Sequence, residues 1–150
     1  MLIYISYMKA LEYITVMSDN YVSAGFPSPA ESYAECSLDI NDYLVPNPAS
    51  TFFVKVNGES MNDYGINSGD LLVVDKSLPI FNGSIIIAAV NGEFTVKSFY
   101  NRNDKIELQP GNKLYRKIVI TQEDNFEIWG IVTHCIKSFN LRNKQFLSSI

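Results

Sequence analysis

Ser60 follows Gly58 closely, just past the apolar segment Thr-Phe-Phe-Val-Lys-Val at 51–56. A strand that ends in a glycine turn presents the next serine outwards, with N–H groups of the turn free to receive an oxyanion. Serines in such places are ordinarily turn residues that bond their own backbone, so nucleophile chemistry requires a base. Lys97, in Glu-Phe-Thr-Val-Lys-Ser-Phe at 93–99, is the candidate. Strand alternation puts Glu93, Thr95, Lys97 and Phe99 on one face, and Phe94, Val96 and Ser98 on the other. On a solvated face such a lysine is a plain surface charge. Sunk among apolar groups, its ammonium is disfavoured. A base that works near neutrality needs a fall of ~3–4 units from ~10.4, on the order of 4–5 kcal/mol. Desolvation must supply it, with no carboxylate close by. A neutral amine has no tautomer for a third residue to fix, so a Ser-Lys dyad dispenses with an acid. A triad would need histidine, and the only one, His134, lies in Ile-Val-Thr-His-Cys-Ile without triad spacing around it. It reads as an ordinary strand residue.

Other chemistry finds little support. Cys36 and Cys135 form no Cys-x-x-Cys and have no histidine at ligand spacing, so no metal or other cofactor is expected. They read as two free thiols in a reducing cytoplasm. The net charge is −4 and the twelve Lys and Arg are scattered, which excludes specific DNA binding by a basic patch. The apolar start at 1–8 is broken by Lys9 and Glu12, short of the ~20 residues of a membrane span. Its charge comes after the apolar stretch rather than before it, unlike a secretory signal.

The elements that must position Ser60 and Lys97 read as short strands. These fall at 51–56, 70–75, 84–90, 93–99, 105–109, 118–121 and 126–136. Asn91-Gly92 between the third and fourth is a two-residue hairpin turn. A short helix fits 38–44 and another is expected to begin at Ser60. Many short strands with Gly, Pro and Asn punctuation predict a mostly-β domain, a partly open barrel or sandwich. Residues 1–17 show no clean period, and 21–30 combine small residues with Pro27 and Pro29. We therefore expect an extended N-terminal arm over 1–30 and one domain over 31–150.

The motif Ser60-Met61-x-Asp63-x-Gly65-Ile66-x-x-Gly69-Asp70 resembles the nucleophile motif of the LexA/UmuD family of self-cleaving serine peptidases. Glu93-Phe94-Thr95-Val96-Lys97 behind Asn-Gly resembles that family's lysine strand, and Ala24-Gly25 its small-residue cleavage bond. Phe26-Pro27-Ser28-Pro29-Ala30 is most similar to the UmuD-like branch. Three motifs in the right order, over roughly 22–139, make the resemblance specific where each alone is not. It implies Ser60 as nucleophile, Lys97 as base, the backbone N–H groups of Glu59 and Ser60 as oxyanion donors, and Ala24 and Gly25 flanking the scissile bond. It also implies a mostly-β peptidase domain that dimerises and cuts its own arm. Cleavage would be promoted by a RecA filament on single-stranded DNA, and the trimmed form would serve a UmuC-like Y-family polymerase in SOS translesion synthesis.

Only 24 residues precede Gly25, too few for the helix-turn-helix domain of a LexA repressor. Residues 1–20 match the UmuD-like arm only weakly, and 140–150 look like an extension. Three readings compete with the self-cleaving peptidase. One is a non-catalytic β scaffold for a polymerase. Another is a phage-type regulator on the same fold. The third, a signal-peptidase-like enzyme, would need a membrane anchor.

Overall fold

Segments dense in Val, Ile, Phe and Thr suit a pleated, half-buried surface, and here they become strands. The computed structural model describes residues 3–4, 14–18 and 35–139, with side chains from residue 39 onwards. In chain order the strands are β1 (Ile3–Tyr4), β2 (Ile14–Ser18), β3 (Glu35–Asp39), β4 (Thr51–Lys55), β5 (Leu71–Asp75), β6 (Ile85–Val90), β7 (Glu93–Arg102), β8 (Lys105–Gln109), β9 (Ile118–Val119) and β10 (Phe126–Ile136). One short helix, α1 (Ile40–Leu44), follows β3.

Two units divide the chain, Met8–Pro46 and the remainder. In the smaller, β2 pairs antiparallel with β3. The Asp39 side chain then caps α1 by accepting from the Asn41 N–H at 2.7 Å, which satisfies one orphan donor of the first turn. Pro46 follows α1 directly, and the residue before a proline is steered out of the helical region. The arm expected over 1–30 lies mostly outside the described residues. What is described of it, β1 and β2, is strand that the sequence pattern did not signal.

In the larger unit β1 joins β4 to β10 in one antiparallel sheet, ordered β1-β4-β5-β10-β6-β7-β8-β9. The outermost strands do not pair with each other among the described residues, so the sheet stays open. The mostly-β expectation holds, with trimmed ends: the expected 118–121 strand shrinks to β9, while β7 runs on to Arg102. Asn91 and Gly92 take φ of 52° and 85°, the left-handed turn that suits the twist of a hairpin. Asn91 also donates from its amide to Asp124 at 2.7 Å and accepts from the Asn125 N–H at 2.9 Å.

The period-2 alternation feeds two cores. Ile87 and Val96 pack with Phe52, Val54, Val56, Met61, Ile66, Leu72 and Val74. Their neighbours Ile86 and Ala88 pack with Phe99 and Leu108. Each fully buried Leu or Ile is worth roughly 1.5–3 kcal/mol, so β5 and β6, buried along most of their length, anchor the fold.

Asp75 closes the end of β5. Its carboxylate accepts from Asn47 Nδ2 at 3.0 Å, the Ser77 N–H at 2.7 Å and Ser77 Oγ at 2.6 Å. Burial works to raise its pKa, but the bonds from Ser77, Asn47 and Ser50 outweigh burial and bring it down to about 2. A carboxyl whose pKa is depressed on folding adds stability above its unfolded value of ~3.9. That stability is lost as pH falls towards about 2. Asp75→Asn is therefore expected to lower the urea unfolding free energy at pH 7 by about 1–3 kcal/mol. The gap to the parent should shrink between pH 4 and pH 2. A gap equal at pH 7 and pH 2.5 would remove Asp75 from the acid response.

Candidate active site

β4 leads into the site. Past its end, the Val56 N–H donates to Asp70 O and the Gly69 N–H to Val56 O, both at 2.9 Å. The chain then turns at Gly58, whose φ of 130° L side chains rarely adopt. Ser60 follows, and Met61 and Ile66 drop into the core at 2% and 3% exposure. The helix expected to begin at Ser60 is a single 3-10 turn, Asn62–Tyr64, which Gly65 ends in the left-handed conformation. Two buried anchors five residues apart, with a left-handed glycine between them, leave no room for a longer helix.

Asp70, at the far end of the motif, buttresses this turn. Its carboxylate accepts from the Asn67 N–H at 2.8 Å and pairs with Lys137. Burial pushes its pKa up, but the bonds from Lys137, the Asn67 N–H and the Cys135 thiol prevail and hold it low. Asp70 therefore stays ionised and structural.

Lys97 stands on β7 opposite Ile86 of β6 and is 7% exposed. Its Nζ lies 2.7 Å from Ser60 Oγ, 2.9 Å from Thr95 Oγ1 and 2.9 Å from Val96 O. No carboxylate forms an ion pair with it among the described residues. Burial alone pushes its pKa below the ordinary 10.5, as desolvation of an ammonium must.

A neutral amine has two N–H donors and one lone pair. Val96 O can only accept, and the Thr95 and Ser60 hydroxyls, each donor and acceptor, divide the second N–H and the lone pair between them; with Thr95 as acceptor the lone pair faces the Ser60 hydroxyl. In the ammonium form all three contacts receive a proton from nitrogen, and Ser60 Oγ becomes an acceptor instead. Loss of one proton from Lys97 thus allows the Ser60 hydroxyl to donate to the amine.

Ser60 lines a cleft of about 110 Å³ together with Val56, Asn57, Gly58, Met61, Ile66, Phe94, Thr95 and Val96. The N–H groups of Glu59 and Ser60 donate to no acceptor among the described residues, which leaves them available to a ligand. Ser60, Lys97 and Glu59 are thus brought together. Ala24 and Gly25 lie outside the described residues. His134 sits on β10 with its Nδ1 3.1 Å from Thr133 Oγ1.

Cys135 is a free thiol, pushed up to about 11 first by burial and then by the Asp70 charge. It is no thiolate nucleophile at neutral pH. The Cys36 side chain is outside the described residues. Among the described residues no cluster of three His, Cys, Asp or Glu side chains could hold a metal. No described helix is long and apolar enough to cross a membrane.

The sequence reading missed two contributors. Thr95 was visible as the same-face neighbour of Lys97, two residues back, yet its role as a partner of the amine depends on how the side chain curls. Asn112 donates from Nδ2 to Glu59 O at 2.8 Å across 53 positions of chain, and nothing local signals that.

Comparison with known proteins adds the last observations. The family described as Peptidase S24-like matches residues 15–133. The chain is 44% identical over 116 residues to Protein MucA of Salmonella typhimurium, covering 77% of this chain and 79% of that one. It is 42% identical over 125 residues to Protein ImpA of the same organism, covering 83% and 84%. A LexA repressor of Idiomarina loihiensis is 41% identical over 118 residues, which span 78% of this chain and 57% of that one.

Proposed function

The chain belongs to the S24-like peptidase family, the self-cleaving serine peptidases of the LexA/UmuD type, and from that premise we propose that it acts as a UmuD-like SOS protein which cuts its own Ala24–Gly25 bond. The observation that carries this reading is the 2.7 Å approach of a buried Lys97 Nζ to Ser60 Oγ. It supports Ser60 as nucleophile and Lys97 as base.

The steps are those of acyl transfer. With the arm in the cleft, Lys97 Nζ takes the Ser60 proton as Oγ bonds to the Ala24 carbonyl carbon. The oxyanion is held by the N–H groups of Glu59 and Ser60. The C–N bond breaks, Lys97 returns the proton to the Gly25 nitrogen, and residues 1–24 stay as an ester on Ser60 of the chain that now begins at Gly25. Water, deprotonated by the same amine, then hydrolyses the ester. Small residues at 24 and 25 suit a chain that must thread a narrow cleft.

In this reading a RecA filament on single-stranded DNA favours the docked arm and adds no chemical group, a shift of population. The trimmed form, a homodimer in the cytoplasm, serves a UmuC-like Y-family polymerase in translesion synthesis. The full chain's net charge of −4 suits contact with proteins better than with the phosphate backbone.

The test is incubation of the purified protein with RecA, single-stranded DNA and a nucleotide. A fragment that begins at Gly25 is expected, by gel and by mass. A chain left whole under these conditions, or cut elsewhere, would retire the proposal.

A further inference from the structure

The loop between β8 and β9 grips the nucleophile turn from behind. Asn112 Nδ2 donates to Glu59 O at 2.8 Å, and the Gly111 N–H donates to Ser60 O at 2.8 Å. The Asp63 N–H closes the clasp by donating to Gly111 O at 2.6 Å. Gly111 is buried, and a Cβ built on it would lie 2.2 Å from Tyr64 Cδ2. A side chain at 111 would force the Tyr64 ring to move.

These bonds have a directional consequence. A trans peptide unit is planar, with its C=O and N–H pointing opposite ways. Glu59 C=O and Ser60 N–H belong to one such unit, so an anchor on Glu59 O fixes where the Ser60 N–H points. Asn62 reaches the same oxygen through its backbone N–H at 3.4 Å. With its amide turned nitrogen-inward it adds a contact at 3.2 Å. Both are longer than the bond from Asn112.

We propose that Asn112 is a positioning residue for self-cleavage: by holding Glu59 O it aims the Ser60 N–H at the oxyanion that forms when Ser60 attacks. This rests on the peptidase reading above and deepens it. Asn112 touches neither the dyad nor the reacting atoms. Its loss should weaken the transition state and leave the basicity of Lys97 alone.

Asn112→Asp is the near-isosteric variant, and Asn112→Ala removes the same donor without adding a charge. Asn112 Oδ1 accepts from the Leu114 N–H at 3.0 Å, and aspartate keeps that oxygen while it loses the donor to Glu59 O. The experiment follows self-cleavage of the full chain, without RecA, from pH 7 to pH 11 in the parent, Ser60→Ala, Asn112→Asp and Asn112→Ala. Thermal unfolding shows that each is folded.

A parent that cuts while Ser60→Ala stays whole carries the underlying peptidase reading; a parent that never cuts sinks that reading itself. Given a cutting parent, Asn112→Asp is expected to lower the alkaline plateau by about 10–100-fold. The pH midpoint of the profile should not move. Asn112→Ala should do the same if it folds. A parental plateau in Asn112→Asp would overturn the proposal. So would a displaced midpoint in Asn112→Ala, which adds no charge, because Asn112 would then act through Lys97.

Discussion

Ser60→Ala leaves a folded chain of full length that never yields a fragment starting at Gly25, and Lys97→Ala does the same. The two defects are expected to look alike because the groups work as one unit. Without Oγ there is no acyl intermediate. Without Nζ the hydroxyl keeps its proton, since among the described residues no carboxylate pairs with that end of the cleft and no other base bonds Ser60. Removal of a nucleophile or its base from such a unit costs roughly 10⁴–10⁶ in rate. For the proposed self-cleavage a loss of that size means no visible product. Electrophoresis after prolonged incubation at alkaline pH reads the outcome, with circular dichroism to show that the folds persist. Accumulation of the Gly25 fragment in either variant would dismiss the dyad. Lys97→Arg separates charge from chemistry: guanidinium has no neutral form in this pH range, so that variant should stay intact at every pH even though it keeps a cation.

A second large effect concerns pH. Burial pushes Lys97 below 10.5, so the ammonium dominates at the acid side of the shifted pKa and the free amine above it. The neutral fraction climbs about tenfold per pH unit below that pKa and then levels off. Cleavage without RecA should follow the same curve and reach its plateau on the acid side of the ordinary lysine value. The direction is fixed by the cause. Desolvation disfavours the charged form, and no partner among the described residues opposes it. Initial rates in a series of buffers of constant ionic strength check this. A flat rate from pH 7 to pH 11 would exclude Lys97 as the base.

Much of this site was legible because chemistry and strand pattern coincide. Ser60 falls just after a strand and a glycine, and Lys97 lies five residues past an Asn-Gly turn. Two-residue periodicity therefore gave the strand of Lys97 and the face it shares with Thr95, whereas Ser60 sits in a turn where a helix was expected. What stayed hidden depends on distant pairing. β9 is only Ile118–Val119 because it takes its place by pairing with Leu108 and Glu107 of β8, which no local pattern announces. β1 and β2 carry mixed apolar and polar residues, and their strand character comes from partners, Val54 and Phe53 for β1 and the Glu35–Asp39 segment for β2. The clasp at Gly111 and Asn112 is invisible for the same reason. An Asn after Pro-Gly reads as a turn residue, and only the fold reveals what its amide reaches.

The place of β10 has a consequence for biosynthesis. It lies between β5 and β6 in the sheet, although it is the last of the described strands in sequence. The half that carries Ser60 and the half that carries Lys97 are separate hairpins until Phe126–Ile136 arrives to zip them together. Local hairpins form early, whereas contacts across a long stretch of chain come late. For a chain that cuts itself as proposed, a nascent polypeptide would therefore lack its scissors until that strand is made, however soon its cutting site emerges.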